Sequence, residues 1–341
     1  MDTIRFPAEW EEQDFVQLTW PHKNSDWRNM LSDIEPVFIN IAREISKRQK
    51  LLIVCPNEKT LSNKLKKLGL TLQNIIFTRI VSNDTWARDH GGIAIYHNGK
   101  TKILDFVFNG WGMKFPADKD NLITKQLHRL GVFGNTKIKT LGMVFEGGGI
   151  ESDGRGTLLT TEECLLSPNR NPAMSKIKIE NELKKNLGAK KILWLKHGRL
   201  EGDDTDSHID TLARLAPHNT IIYQSCDDRN DEHFDELKKM EYELKTFTDN
   251  SNKSFKLLAL PWPSAKFASD GHRLPATYAN YLVINKAVLV PTYNDTNDKK
   301  ALDVIGQAFD DREIIGIDCS MLIEQHGSLH CVTMQYPKGI L

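Results

Sequence analysis

The sequence of 341 residues predicts an α/β fold in one continuous domain. Short apolar runs rich in β-formers alternate with amphipathic stretches along the whole chain, and each run ends at Gly, Asn, Asp or Pro, as strands do. No Pro/Gly/Ser-rich linker separates two halves, and the most flexible stretch, residues 246–254, fits a surface loop. We therefore predict a single domain over residues 1–341.

Seven runs have the composition of strands: Leu51–Cys55, Ile75–Ile80, Ile103–Phe108, Thr157–Thr161, Thr220–Gln224, Tyr281–Ile284 and Ala287–Pro291. Five stretches between them have helical character: Ile34–Lys50, Glu58–Leu68, Lys176–Asn186, Glu232–Thr246 and Lys299–Phe309. The first stretch places Ile34, Val37, Phe38, Ile41 and Ile45 on one face, and the last places Leu302, Ile305 and Phe309 in the same way.

The overall composition excludes several classes of protein. It is 40% hydrophobic and 26% charged, typical of a soluble globular protein, and Lys+Arg equals Asp+Glu at 45 each. This balance argues against nucleic acid as the main partner. We expect no secretory signal and no membrane segment, because no apolar run reaches about 18 residues. Five scattered cysteines without a CxxC pair indicate free thiols and a cytoplasmic location.

Four polar clusters are candidates for chemistry. The first contains Asp84, Trp86, Arg88 and Asp89 after an apolar run, and the second is Glu146 before three glycines. The third, residues 201–211, contains four acids before His208 and Asp210, and the fourth, residues 325–333, contains Cys331. Each cluster taken alone also fits a plain structural role: an Asp-rich turn, a glycine turn, a solvated acidic loop or a buried small thiol.

The third cluster carries the clearest geometric expectation. If residues 208–210 form a strand, His208 and Asp210 point to the same face, because side chains alternate with period two. The acidic spacing lacks the central Gly and closing Glu of an EF-hand. The histidines and cysteines also lack CxxC and HExxH spacing, so we predict no metal site.

Together the clusters indicate nucleophilic catalysis on a cation. A cysteine, a histidine and acids that are distant in sequence supply a nucleophile, a base and orienting groups. The acids exceed what a protease triad needs, and unpaired buried carboxylates are costly. A guanidinium ligand would neutralise them, since its planar N–H groups match carboxylates bidentately.

Motifs across almost the whole chain resemble the agmatine deiminase family of the guanidine-modifying (pentein) superfamily. They are Pro7–Glu11, Trp20–His22, Trp86–Asp89, Glu146–Ile150, Gly156–Pro172, Gly202–Thr205, His208–Asp210, Pro275–Asn280, Val290–Asp295 and His330–Thr333. The resemblance implies a five-bladed α/β propeller of pseudo-symmetric ββαβ units around a central site.

The resemblance also implies residue roles. Cys331 matches the nucleophile, and His208 matches the acid/base histidine. Asp89 and Asp210 match the guanidinium-binding carboxylates, and Glu146 matches the glutamate that positions the histidine and the guanidinium. The implied reaction passes through a covalent thiouronium on the cysteine and needs neither metal nor organic cofactor.

Two departures from the family pattern concern the pocket. Gly92 stands where the family usually has proline, and the turn before the nucleophile reads His326-Gly327-Ser328 where the family usually has a second glycine and Asn or Asp. We expect these changes to affect the pocket rim, and so the rate or the substrate tail, rather than the nucleophile.

Agmatine is the favoured substrate, and three alternatives stay open: peptidyl-arginine, free arginine, and a non-catalytic protein that binds a guanidinium. An amine tail would be held by acids and aromatic faces, for which Trp20, Trp86, Trp111, Asp84 and Asp204 are candidates. The α-carboxylate of arginine would instead need a cation such as Arg88 or Arg273. The implied pathway is polyamine (putrescine) biosynthesis or arginine/agmatine catabolism, and the sequence leaves a homo-oligomer open.

Overall fold

The computed structural model describes residues 3–341 as a mixed α/β structure. Strands β1 to β19 are Ile4–Arg5, Gln13–Thr19, Lys50–Cys55, Ile75–Arg79, Ile93–His97, Lys100–Val107, Lys137–Val144, Glu151–Ser152, Thr157–Thr161, Lys191–Leu195, Ala213–Ala216, Thr220–Gln224, Lys256–Leu260, Lys266–Phe267, Arg273–Leu274, Leu282–Ile284, Ala287–Thr292, Glu313–Asp318 and Thr333–Pro337.

Helices α1 to α9 are Leu31–Ser46, Glu58–Lys67, Ala87–His90, Gly110–Met113, Ile123–Arg129, Glu162–Leu165, Lys176–Leu187, Phe234–Thr246 and Asp298–Gly306. Short 3₁₀ turns cover Asp26–Asn29, Leu72–Asn74, Asp120–Leu122, Gly147–Gly149, Ile209–Thr211 and Ile323–Gln325. No helix in the part of the chain that the structure describes is long and apolar enough to cross a membrane.

Five sheets repeat one strand arrangement, in which an antiparallel pair is followed by a parallel third strand. The triples are β5-β6-β7, β8-β9-β10, β11-β12-β13, β16-β17-β18 and β19-β2-β3. A parallel neighbour cannot be reached by a tight hairpin. Accordingly, at least one helix lies between the two parallel strands of every triple, for example α8 between β12 and β13. Strands β1 and β4 extend two of these sheets, and β14 and β15 form a separate hairpin.

One sheet joins the two ends of the chain. Strand β19 pairs antiparallel with β2, in a register that runs from Thr333 opposite Leu18 to Tyr336 opposite Phe15. Lys338 forms an ion pair with Glu12 at 2.9 Å just beyond this pairing. The C-terminal segment is therefore an integral part of a sheet whose other strands come from the first 80 residues.

The predicted elements are confirmed with small shifts at their ends. The runs Thr157–Thr161 and Thr220–Gln224 are strands with the predicted bounds. Helix α1 begins at Leu31 and ends at Ser46, because a short turn precedes β3 at Lys50. Its predicted apolar face is buried at all five positions.

Polar residues from the five triples meet in the centre of the fold. Each triple is preceded in sequence by one of these residues, immediately before its antiparallel pair: Asp89 before β5, Glu146 before β8, Asp210 before β11, Asn280 before β16 and Cys331 before β19. All five side chains are buried. The repeated architecture thus brings five distant sequence positions to one place.

Candidate active site

A cavity of about 470 Å³ opens above this central group. Its lining is rich in carboxylates and aromatic rings, and none of the described lining residues is Lys or Arg: Asn24, Asp26, Asn83, Asp84, Trp86, Asp89, Trp111, Phe115, Pro116, Asp120, Asp204, Thr205, Gln325, His326, Gly327 and Cys331. This combination favours an organic cation over an anion.

The thiol of Cys331 is the nucleophilic group that reaches the cavity. Its Sγ lies 3.4 Å from Asn280 Oδ1 and 3.9 Å from Asp210 Oδ2. Burial, and then the charges of Asp210 and Asp89, raise the pKa of this thiol well above its usual value. The empty site therefore holds a thiol, and a cation placed among the carboxylates would favour the thiolate.

The two carboxylates predicted to grip a guanidinium are both buried beside the thiol. Asp89 Oδ1 accepts from the backbone N–H of Gly148, and its Oδ2 accepts from Trp111 Nε1, each at 2.9 Å. Burial raises the pKa of Asp89 to about 6. Asp210 Oδ2 lies 2.7 Å from His330 Nδ1, whereas its Oδ1 is buried without a partner. That unpaired oxygen is available to an N–H donor from a ligand.

The segment around His208 is not a strand: it forms a 3₁₀ turn over Ile209–Thr211 with His208 at its N-terminus. The N–H of His208 donates to Thr205 Oγ1, and Thr211 Oγ1 donates to the carbonyl of His208. Such side-chain bonds to the backbone compete with sheet pairing. The turn still brings His208 and Asp210 together: a Cβ added to Gly148 would lie 2.5 Å from His208 Nδ1 and 3.2 Å from Asp210 Oδ2.

Glu146 contacts the histidine on the side of its Nε2. Its Oε2 lies 3.2 Å from His208 Nε2, and both its oxygens accept from Arg170 Nε, at 3.0 and 2.7 Å. Burial opposes charge on His208, but Asp89, Cys164 and Glu146 together outweigh it, and the pKa of His208 is raised well above its usual value. The pKa of Glu146 is lowered because, against burial, His208 and Arg170 stabilise the carboxylate. Sequence reasoning missed Arg170, although it lies within the distinctive run 156–172.

The mouth of the cavity contains the other predicted ligand-binding residues. Burial, and then Asp26 and Asp120, raise the pKa of Asp84 to about 7, and its Oδ1 is buried without a partner. Burial likewise raises the pKa of Asp204 to about 6. Trp86 lies so close to Gly327 that a Cβ there would approach its ring to 2.2 Å.

The residues that depart from the family pattern lie around this site. His326 adopts a positive φ of 64°, lines the mouth and binds the carbonyl of Gly202 through Nδ1 at 2.8 Å. Ser328 is hydrogen-bonded to Tyr293 at 2.9 Å. The N–H of Gly92 donates to Tyr336 Oη at 3.2 Å, a bond that proline could not make.

Three candidates from the sequence lie away from the cavity lining. Trp20 packs edge-on against Phe38 with its ring centre 5.6 Å away. Arg88 is buried against Glu9 and Gln335. Arg273 pairs with Asp231 at 2.8 Å. These three candidates do not line the cavity, because tertiary packing directs each side chain elsewhere.

A buried charge network extends from Asp210 away from the cavity. His330 Nε2 lies 2.8 Å from Glu9 Oε1 and 3.0 Å from Arg214 Nη2. Arg214 also pairs with Glu9 and Glu151, each at 2.5 Å, and Arg88 pairs with Glu9 at 3.0 Å. Glu9 belongs to the first family motif of the sequence, and its side chain is 20% exposed.

Two groups of side chains have donor atoms close enough to hold a metal ion: Glu146, Cys164 and His208, and Glu9, Glu151 and His330. In each group a carboxylate already pairs with a buried guanidinium, from Arg170 or Arg214. A metal cation would have to displace or be repelled by that charge.

A buried thiol, an imidazole and paired carboxylates at the base of an acidic cavity define a site for nucleophilic catalysis on a cation. The description of the matching family model is Porphyromonas-type peptidyl-arginine deiminase, and the match covers residues 5–337. A Lactococcus lactis protein named as a proposed agmatine deiminase is 32% identical over 99% of this chain and 96% of its own. The chain belongs to this family of guanidine-modifying deiminases.

Solved structures extend the likeness to the fold. A proposed arginine deiminase from Porphyromonas gingivalis has a TM-score of 0.93 at 48% identity and covers 99% of both chains. A Cys-to-Ser variant of C. jejuni agmatine deiminase, solved with substrate bound, has a TM-score of 0.93 at 38% identity and covers 99% of this chain and 97% of its own. An amidinotransferase from Microseira wollei shares the fold alone, with a TM-score of 0.55 at 12% identity.

Proposed function

We propose that this protein is an agmatine deiminase, which hydrolyses agmatine to N-carbamoylputrescine and ammonia. The observation that carries the proposal is the position of Cys331 beside two buried carboxylates, at the base of a cavity lined with acids and without Lys or Arg among its described residues. Relatives named as agmatine deiminases span almost the full chain, which supports the same activity.

Asp89 and Asp210 would hold the guanidinium with its carbon over Cys331 Sγ. Asp210 offers an unpaired Oδ1, and Asp89 is held in place by Gly148 and Trp111. Such positioning can remove about 7–11 kcal/mol of barrier in favourable cases. The bound cation also offsets the carboxylate charges that raise the thiol pKa, so that substrate binding favours the nucleophile.

The chemical steps follow from these positions. The thiolate attacks the guanidinium carbon, and a tetrahedral adduct forms. His208, held by Glu146, protonates the departing nitrogen as the C–N bond breaks and ammonia leaves. The remaining thiouronium is attacked by water, which His208 deprotonates. The C–S bond then breaks, and the ureido product and the thiol are released.

Agmatine suits the mouth of the cavity better than arginine does. The ammonium of agmatine would meet Asp84 or Asp204 and the ring of Trp86, whereas an α-carboxylate would be repelled there. Lys114, a cation near Asp204 that could attract an α-carboxylate, is already paired with Asp206 at 2.6 Å. Free arginine is the second candidate, because the P. gingivalis structure at 48% identity is named as an arginine deiminase.

The finer fold and biological assignments belong to the same proposal. We infer that the five strand triples are the five blades of a propeller and that residues 1–341 form one catalytic domain. Five buried free cysteines fit a cytoplasmic location. The ureido product of agmatine yields putrescine once its carbamoyl group is removed, which supports a place in polyamine biosynthesis or in arginine/agmatine catabolism.

A product assay tests the function directly. The protein is incubated with agmatine, arginine and a blocked peptidyl-arginine, and ammonia and the ureido products are quantified. We expect N-carbamoylputrescine to form with a kcat/KM at least about 100-fold above that of citrulline formation. The reason is that the agmatine ammonium gains an ion pair with the acids at the cavity mouth, whereas the α-carboxylate of arginine is repelled by them.

The Cys331→Ser variant is the matched control, with an expected loss of at least about 10³-fold in kcat. Citrulline as the main product would move the assignment to arginine. Thermal stabilisation by agmatine without release of ammonia by the unsubstituted protein would instead identify a guanidinium-binding protein without catalysis.

A further inference from the structure

The imidazole of His330 lies between two carboxylates. Its Nδ1 is 2.7 Å from Asp210 Oδ2, and its Nε2 is 2.8 Å from Glu9 Oε1. A nitrogen and a carboxylate oxygen at such distances need a proton between them. A neutral imidazole carries one N–H and can satisfy only one of the two contacts. The geometry therefore calls for a second proton on this unit.

The second neighbour of Nε2 is a donor. Arg214 Nη2 lies 3.0 Å from the same nitrogen that faces Glu9. A charged His330 can donate from Nε2 to Glu9, and a neutral His330 can accept at Nε2 from Arg214. Nε2 therefore has a hydrogen-bond partner in both protonation states of the ring, and in the neutral state Glu9 Oε1 must draw back from it.

The surrounding charges are balanced when the ring is charged. Three carboxylates and two guanidiniums surround His330, and the thiol of Cys331 is its neighbour in sequence. The carboxylates are Asp210, Glu9 and Glu151, and the guanidiniums are Arg214 and Arg88. Burial raises the pKa of Glu151 to about 8, whereas its contact with Arg214 favours the carboxylate, and with Glu151 ionised one further positive charge makes this set neutral. Burial, and then Arg214 and Arg88, lower the pKa of His330, so that its second proton is held loosely.

We propose that His330 is a positioning residue that carries a proton while the guanidinium site is empty and releases it when a guanidinium binds Asp210. The inference rests on the proposed function. The Nε2–H bond breaks, and its electron pair stays on Nε2, where it accepts the N–H of Arg214. The proton passes to the Glu9 carboxylate and then to water, since Glu9 lines a second cavity of about 50 Å³ that can hold water.

This exchange has a functional consequence. The incoming cation replaces a charge that was already compensating Asp210, so the network keeps its neutrality before and after binding. In the pH range where the ring is charged only in the empty protein, guanidinium affinity rises with pH, by up to about tenfold per unit. Throughout, Nδ1–H holds Asp210 Oδ2 and leaves Oδ1 free for the ligand.

The experiment measures proton release on binding of agmatine at about pH 6.5, by calorimetry in buffers of different ionisation enthalpy. It uses the Cys331→Ser protein, in which the thiol of the site cannot titrate, and the double variant with His330→Gln. Protons from Asp84 and Asp89 cancel in this comparison. We expect the double variant to release about one proton fewer. The exposed His218→Gln exchange serves as the matched control and should change nothing.

Equal proton release with and without His330 would overturn the inference. Should the His330→Gln protein fail to fold, Glu9→Gln keeps the ring and removes the negative charge that favours the imidazolium, and the same reduction is expected. Ring-¹⁵N spectra of the ligand-free Cys331→Ser protein give an independent readout: imidazolium shifts on both nitrogens support the inference, and a neutral ring overturns it. Absence of agmatine binding contradicts the proposed function instead, while the spectra still decide the state of His330.

Discussion

Asp84 is a buried carboxyl group with an unpaired oxygen, a costly arrangement that a cationic ligand would relieve. Its Oδ1 is buried without a hydrogen-bond partner, and Asp120, an acidic neighbour, accepts from the backbone N–H groups of Asn83 and Asp84 at 2.6 and 3.1 Å. Residues with such raised pKa values concentrate at functional sites. An ammonium group at the mouth would give Asp84 the partner that it lacks.

Replacing Asp84 with Asn should weaken substrate binding and change the pH dependence of stability. The pKa of Asp84 is raised from 3.8 to about 7, so the folded protein binds a proton that the unfolded chain has already lost above about pH 4. Stability therefore falls as pH rises from about 4 to 7 in the wild type. At pH 8 we expect Asp84→Asn to be more stable by roughly 2–4 kcal/mol and its KM for agmatine to be about tenfold higher.

Urea unfolding at pH 5 and pH 8, with steady-state kinetics on the same samples, measures both effects. The exposed Asp310→Asn exchange serves as the control for removal of one carboxylate. An unchanged KM would exclude Asp84 from the amine site, and a stability difference that does not grow between pH 5 and pH 8 would show that its carboxyl group is not protonated in the folded protein.

At the scale of elements, the 3₁₀ turn Gly147–Gly149 lies directly against the side chains of the site. The N–H of Gly148 donates to Asp89, and the absence of a Cβ leaves room for His208 and Asp210 on the other side. Added at Gly148, a Cβ would come within 2.5 Å of His208 Nδ1 and 2.8 Å of Asp89 Oδ1. These contacts are shorter than van der Waals distances, so the side chains would have to move.

Gly148→Ala should therefore abolish most of the activity with a small effect on the fold. A shift of the reacting groups by about 1 Å can cost about 10²-fold, and we expect a loss of at least that size in kcat/KM. Gly142→Ala is the matched control, because its Cβ would meet nothing within 4 Å. Steady-state kinetics and circular dichroism of both variants provide the measurement. Near-normal activity of Gly148→Ala would mean that the site tolerates displacement of Asp89, His208 and Asp210.

Elements with strong local patterns could be predicted, and those defined by long-range contacts could not. Helix α1 follows from its apolar face, and β9 follows from its β-branched composition. The shared face of His208 and Asp210 is expected from the sequence only if residues 208–210 form a strand, whereas the segment is a 3₁₀ turn with side-chain bonds from Thr205 and Thr211 to its backbone. Local composition does not distinguish a strand from a turn of this kind.

The same division applies to the site. Cys331, Asp89 and the His208–Asp210 pair stand in unusual polar clusters, which made them visible in the sequence. Arg170, Asn280 and Glu9 act only through contacts made more than 20 residues away, such as Arg170 with Glu146 and Asn280 with Cys331. Their sole indication in the sequence is that each lies within a family motif.

For the whole molecule, the pairing of β19 with β2 couples both ends of the chain. The five triples each supply a residue to the centre, and the last triple contains strands from the two ends of the sequence. Loss of one triple would therefore expose the apolar and charged centre to water. We expect the protein to unfold as one cooperative unit, as a single domain does.

Differential scanning calorimetry tests this expectation. One transition with a calorimetric enthalpy close to the van't Hoff enthalpy is the expected result, and Cys331→Ser should show the same transition within a few degrees. Two resolved transitions would contradict the assignment of residues 1–341 to one domain. The comparison with Cys331→Ser shows whether oxidation of this one thiol on heating creates a second transition.

The placement of Cys331 immediately before β19 has a consequence for the synthesis and folding of the protein. Synthesis proceeds from the N-terminus, so the nucleophile and its strand emerge from the ribosome only after the other four contributors have been made. Strand β2 is among the first elements to be translated, and the edge that pairs with β19 stays unpaired until β19 has been made. That unpaired edge could pair with another chain, so it is the part of the nascent protein that a chaperone would protect.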